Sequence, residues 1–234
     1  MPEIFAHRGL HVRERENTVA AFRGACELGV AGVELDVRRT NDGQLVVHHD
    51  ANVGAIVIAD SAKASLPSYV PTLAEALDAL EGVTVNIEVK NLRQPSEPTY
   101  DDTGAFARDV VSLVHDVGRA PSVIFSSFDL ATCEVLKDAA PGIPVGWLLW
   151  LEDLGQAIPL AHERGLDAVN PSFRRVARAS VDLARSFGLE VNVWTVNART
   201  DILAMAALGV DRIITDDPAL ALSLVGQSRF PGGG

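Results

Sequence analysis

Cysteine, aromatic residues and positive charge are all scarce in this 234-residue chain, and each shortage narrows what it can be. There are two cysteines, Cys26 and Cys133, too few for a disulfide framework. Each falls among apolar neighbours in a stretch of helical spacing, which suits small buried hydrophobes rather than a disulfide or a metal pair. Lysine and arginine total 20 against 31 acids, a net charge of -11. Such a chain has no global field to draw in nucleic acid or an anionic membrane, so neither is an expected partner. An anionic substrate would need local cations or a bound metal ion. No run approaches the ~18 apolar residues of a membrane-crossing helix. Met1-Pro2-Glu3 opens no basic region followed by an apolar stretch. With no signal peptide expected, the expected location is the cytoplasm.

Apolar residues are plentiful, at 47% of the chain, enough for a substantial core. Short runs rich in β-branched and aromatic residues recur at 4–7, 33–37, 84–89, 123–126, 144–149, 168–171, 190–196 and 212–215. Helical spacing fills the gaps. Val19, Phe22 and Cys26 share a face that starts after Thr18 and stops at Gly29. Thr72-Leu73-Ala74-Glu75 is a capping-box pattern that opens a second helix. A third runs from Thr200 to Leu208 and stops at Gly209. Eight strands alternating with helices predict a TIM-type (β/α)8 barrel, with an open doubly wound sheet as the other possibility. One domain over 1–234 is expected, with a short insertion at about 51–70 and a flexible tail at 227–234 whose last residues, Pro231-Gly232-Gly233-Gly234, are expected to carry no function.

Residues 45–49 break the rhythm. They read as a strand but follow 33–37 too closely for a helical crossover, so the pair must be an antiparallel hairpin turning through Thr40-Asn41-Asp42-Gly43. A turn centred on Asn41 and Asp42 would set His49 opposite Glu34.

A barrel builds its active site at the carboxyl ends of its strands. Those ends read His7-Arg8-Gly9, Glu34-Leu35-Asp36, His49-Asp50, Glu88-Val89-Lys90, Trp194-Thr195-Val196-Asn197 and Thr215-Asp216-Asp217. Glu34 and Asp36 share one strand face, as do Glu88 and Lys90. Each acid alone could be half of a structural ion pair. Three converging on one mouth would repel one another unless a hard divalent cation, Mg²⁺ or Ca²⁺, lay between them. His7 and His49 suit general acid and base chemistry near neutral pH. Arg8 and Lys90 can balance the acids, hold phosphate oxygens, or both. Trp194 suits either a wall for a substrate alcohol or the core. Asn17 and Thr18 read as caps of the first helix, and His11, His48, His115 and His162 as structural.

Taken in order, Ala6-His7-Arg8-Gly9, Glu16-Asn17-Thr18, Glu34-Leu35-Asp36-Val37, Thr40-Asn41-Asp42-Gly43, His49-Asp50, Pro71-Thr72-Leu73, Ile87-Glu88-Val89-Lys90, Ser127-Phe128-Asp129, Trp194-Thr195-Val196-Asn197 and Ile214-Thr215-Asp216-Asp217-Pro218 resemble the motifs of the glycerophosphodiester phosphodiesterase family. The match runs along nearly the whole chain. The resemblance implies a TIM barrel that hydrolyses small-molecule glycerophosphodiesters to glycerol 3-phosphate and an alcohol. It implies Glu34, Asp36 and Glu88 as ligands of one divalent metal, His7 and His49 as the acid–base pair, and Arg8 and Lys90 near the phosphate. The first nucleophile can be water or the neighbouring glycerol hydroxyl.

The chain departs from the family pattern in two places. Arg15 stands where a proline is common, and 51–60 lacks an arginine that usually follows the His-Asp pair. That insert is apolar (Val53, Ile56, Val57, Ile58), and as a lip over the site it would favour lysophospholipids. The rivals are a non-catalytic barrel that binds phosphorylated ligands and a metal-dependent phosphomonoesterase on the same fold.

Overall fold

The computed structural model describes residues 1–12, 14–93 and 100–226; the tail at 227–234 lies outside them. The chain alternates in the order β1 (Glu3–His7), α1 (Val19–Leu28), β2 (Gly32–Arg39), β3 (Leu45–Val47), β4 (Asn52–Val53), β5 (Ile56–Val57), α2 (Leu73–Ala79), β6 (Thr84–Val89) and α3 (Ala105–Asp116). It continues with β7 (Val123–Ser127), α4 (Leu130–Ala139), β8 (Val145–Leu149), α5 (Leu154–Glu163), β9 (Ala168–Pro171), α6 (Arg178–Ser186), β10 (Glu190–Val193), α7 (Arg199–Leu208), β11 (Arg212–Thr215) and α8 (Pro218–Val225).

Eight parallel strands close into a barrel in the order β1-β11-β10-β9-β8-β7-β6-β2, with β2 returning to β1. This is the expected TIM barrel rather than an open sheet, because β1 pairs with both β2 and β11 and leaves no free edge. The caps form as their sequences require. Thr18 accepts from the Ala21 amide and Gly29 takes φ 81° at the other end of α1. Thr72 and Glu75 close a capping box on α2. Helices cover the barrel with Phe22, Leu77, Val110, Leu136, Ile158 and Ile202, all fully or almost fully buried. Each contributes about 1.5–3 kcal/mol by leaving water.

Inside the barrel, Phe5, Ile124 and Ile214 form an apolar plug. Gly32 makes room for it, since a Cβ there would lie 2.4 Å from the Phe5 ring.

The hairpin arm exists, in a register shifted by one residue. Val37 faces Val47 and Arg38 faces Val46. The Thr40 amide donates to Gln44 O at 2.9 Å, so Asn41, Asp42 and Gly43 form a three-residue loop, with Gly43 at φ 77°. The glycine takes the positive φ that its place in the turn calls for, but the loop is one residue longer than a turn centred on Asn41 and Asp42. His49 therefore does not face Glu34 across the ladder, and β3 ends at Val47. The apolar insert is not a lip either. Val53, Ile58, Leu66 and Val70 pack with Val46 into a small core of their own. Arg15 lays its guanidinium 4.2 Å from the centre of the Tyr69 ring. The strand expected over 190–196 stops at Val193, leaving Trp194 just beyond it and bridged to Ser172. No helix among the described residues is long and apolar enough to cross a membrane.

Candidate active site

The turn after β1 folds back onto α1. Arg8 and Asn17 hold left-handed backbone at φ 56° and 55°, with Gly9 at φ 84°. A left-handed residue other than glycine costs about 1–2 kcal/mol, and such residues gather at functional sites. Here the contacts they make offset the cost. The Arg8 amide donates to Glu34 O at 2.9 Å, and the Asn17 amide to Arg8 O at 3.0 Å. The Arg8 guanidinium is thereby set over Asp36 (Nε to Oδ2, 3.2 Å) and Glu16 (Nη1 to Oε1, 3.0 Å). Asn17 was expected to cap a helix. Instead its Nδ2 donates to Asp36 Oδ2 at 2.7 Å, and Thr18 alone does the capping.

Glu34 and Asp36 on β2 and Glu88 on β6 bring carboxylate oxygens within 4.8 Å of one another. All three are buried. Burial, reinforced by Asp36 and Glu88, pushes the Glu34 carboxyl well above the usual range. Asp36 goes the other way: burial raises it, but Lys90 and Arg8 hold it far below. Lys90 Nζ lies 2.8 Å from Glu88 Oε1 and 3.3 Å from Asp36 Oδ1, and these two acids outweigh burial to raise its pKa. Both oxygens of Glu34 are sealed from solvent and accept no hydrogen bond, and Asp36 Oδ1 has only the Lys90 ammonium beside it. A buried all-oxygen set with unsatisfied atoms suits a hard divalent cation.

Two histidines flank this cluster. His7 Nδ1 is 2.6 Å from Asp216 Oδ1, and its Nε2 is 3.8 Å from Glu34 Oε2. His49 Nδ1 is 2.8 Å from Asp50 Oδ1. Arg38 donates from Nε to the His49 carbonyl at 2.9 Å, which fixes the backbone after the hairpin. Each ring thus has its Nδ1 held by a carboxylate, which leaves Nε2 for chemistry. Burial raises the Asp216 carboxyl, but the bonds from His7, Asn197 and His11 together bring it well below the usual range. His11 was expected to be structural, yet its Nε2 lies 3.1 Å from the same Asp216 oxygen. Asp50, Asp216 and Asn17 appear in the charged strand ends and motifs, but nothing in their spacing assigns them a partner.

His7, Arg8, Glu34, Glu88, Lys90, His49 and Trp194 all line one cavity of about 550 Å³, with Asp36 fully buried behind it. Trp194 donates Nε1 to Asn170 O at 2.6 Å and turns its ring to the cavity. It packs edge-on against Phe128 and Trp150, with centroids 5.4 and 5.7 Å away. The cavity therefore has a charged side and an aromatic side.

A family model described as the glycerophosphoryl diester phosphodiesterase family matches residues 7–220. A glycerophosphodiester phosphodiesterase of Caldanaerobacter subterraneus is 29% identical over 95% of this chain and 97% of its own. The crystal structure of a Thermotoga maritima glycerophosphodiester phosphodiesterase superposes with a TM-score of 0.78 at 26% identity, covering 96% of this chain and 98% of the other. An Oleispira antarctica phosphodiesterase, solved with the product sn-glycerol-3-phosphate, shares the fold with a TM-score of 0.83 at 21% identity, covering 97% and 98%. The chain belongs to the glycerophosphoryl diester phosphodiesterase family and is a phosphoric diester hydrolase.

Proposed function

We propose that the protein hydrolyses glycerophosphodiesters to sn-glycerol 3-phosphate and an alcohol, with His7 and His49 as the acid–base pair. One observation carries this reading: two imidazoles, each with Nδ1 on a carboxylate, flank a buried triad of acids beside Arg8 and Lys90. The product held by the Oleispira antarctica relative is of the same chemical class.

Glu34, Asp36 and Glu88 would hold one divalent cation, Mg²⁺ or Ca²⁺. When bound, it supplies charge neutralisation for a non-bridging phosphate oxygen. Arg8 and Lys90 orient the phosphate and share its negative charge. One histidine takes the proton of the attacking hydroxyl at Nε2, and the other delivers a proton to the leaving alkoxide. Asp216 and Asp50 fix the tautomers that make this exchange possible. Trp194 walls the side of the cavity where no charge is needed.

The test is an assay of chelator-treated protein on glycerophosphocholine and glycerophosphoethanolamine, with Mg²⁺, Ca²⁺, Mn²⁺ or no metal added. Release of glycerol 3-phosphate only with metal is expected. Inertness on both diesters with every metal would reject the reading.

A further inference from the structure

We propose that Asn86 and Ser126 form the subsite for the glycerol hydroxyls, so that the substrate lies with its glycerol inward and its leaving alcohol at the mouth. The proposal rests on the phosphodiesterase reading and adds to it an orientation and a source of selectivity.

Asn86 on β6 and Ser126 on β7 both line the cavity. In the barrel register, Asn86 is the neighbour of Glu34, and Ser126 the neighbour of Glu88. Asn86 is 4% exposed and Ser126 0%. Even so, Asn86 Oδ1 and Ser126 Oγ find no hydrogen-bond partner in the protein. Nearby polar groups show what satisfied neighbours look like. Ser127 Oγ donates to Val89 O at 2.9 Å, and Asn192 Nδ2 donates to Asn170 Oδ1 at 3.0 Å. Leaving a buried polar atom bare is costly, so two such atoms lining one cavity point to something that binds there.

The chemistry of the two groups selects the ligand. An amide and a hydroxyl are neutral and can both donate and accept. The bare atom of Asn86 is its Oδ1, an acceptor that an ionised phosphate, served by Arg8 and Lys90, has no proton to satisfy. The three carboxylates already suit the cation. What a neutral pair recognises is a neutral group that also donates and accepts, such as the hydroxyls of a polyol. The aromatic wall, just past the ends of β7, β8 and β10, cannot serve them, because Phe128, Trp150 and Trp194 present rings. That wall leads outward: Trp150 is 61% exposed. The glycerol therefore belongs against β6 and β7, and the alcohol against the rings. Buried groups made to hydrogen-bond a substrate hydroxyl discriminate strongly against an analogue that lacks it.

The experiment compares the parent with Ser126→Ala and Asn86→Ala on glycerophosphoethanolamine and on bis(para-nitrophenyl) phosphate, a diester without glycerol. The ratio of kcat/KM for the two substrates is expected to fall about 10-fold or more in each variant. An unchanged ratio overturns the proposal, whether both activities fall or neither does. Calorimetry on the same proteins gives a second readout. The Kd of sn-glycerol 3-phosphate should weaken about 10-fold in Ser126→Ala while that of inorganic phosphate moves much less. Equal weakening of both would assign Ser126 to the phosphate or the cation and sink the subsite. A parent that cleaves only the nitrophenyl diester would instead reject the proposed function, and the two failures are distinguishable.

Discussion

His7 Nδ1 lies 2.6 Å from Asp216 Oδ1, joining the first strand of the barrel to the last. Closure of the barrel makes this contact, since β1 and β11 are hydrogen-bonded neighbours. Asp216 also receives Asn197 Nδ2 at 2.6 Å and faces His11 Nε2 at 3.1 Å. A carboxylate so surrounded stays ionised and holds the His7 ring in one tautomer. Asp216→Asn should therefore lower kcat by about 10-fold or more with little change in KM. The depressed carboxyl also makes a signed prediction for stability. The stabilising contribution of Asp216 is present above the unfolded aspartate range, near pH ~3.9, and is lost as pH falls through the lower folded value. The melting temperature of the parent should exceed that of Asp216→Asn at neutral pH and converge with it in acid. A gap that persists in strong acid would assign the effect to packing.

The histidines themselves are the sharper test of the acid–base assignment. His7→Ala and His49→Ala should each cut turnover by roughly 10²-fold or more while circular dichroism and melting stay close to the parent. Both rings are part-exposed at a cavity wall rather than in the core, so their removal leaves the packing intact. Near-parental turnover in both variants would remove them from the chemistry.

The barrel was legible because its signals are local: β-branched runs, helical stripes, a capping box at Thr72 and stop glycines at Gly29 and Gly209. The strand-end rule then located Glu34, Asp36, Glu88, His7 and His49 without any contact being known. What stayed hidden depends on side chains meeting across the sequence. Asn17 looked like a cap because asparagine suits a helix cap and a left-handed turn alike, and residue type does not tell that its amide meets Asp36. His11 looked structural because only barrel closure brings Asp216 to it. The hairpin register failed by one residue because a three-residue loop and a two-residue turn share the same Asn-Asp-Gly letters.

The acid triad predicts how the protein responds to metal. In the absence of a cation, three buried carboxylates are balanced only in part by Arg8 and Lys90. A bound divalent ion should raise the melting temperature, because it binds the native arrangement and not the unfolded chain. Glu34→Gln and Glu88→Gln should lose both this shift and the metal response of turnover. If either variant keeps the parental metal dependence, the ligand set is wrong. Chelation of the parent should likewise lower its melting point, as read by differential scanning calorimetry.

Asn17 separates backbone strain from hydrogen bonding in one residue. Its side chain donates to a buried charged carboxylate, a bond of the kind that contributes about 1.5–3 kcal/mol. Its backbone sits at φ 55°, where a residue with a Cβ loses about 1–2 kcal/mol and glycine loses almost nothing. Asn17→Gly removes the bond and relieves the backbone. Asn17→Ala removes the bond and keeps the strain, without the local polar contacts that make asparagine tolerant of this conformation. The alanine variant should therefore be less stable than the glycine variant by about 1 kcal/mol in urea denaturation. Both should lose activity to a similar degree, because the Asp36 carboxylate loses the same donor in each. Equal stability of the two variants would mean that the turn relaxes out of the left-handed region once the asparagine is gone. Arg8 would then move with it, and the activity of the two variants would diverge.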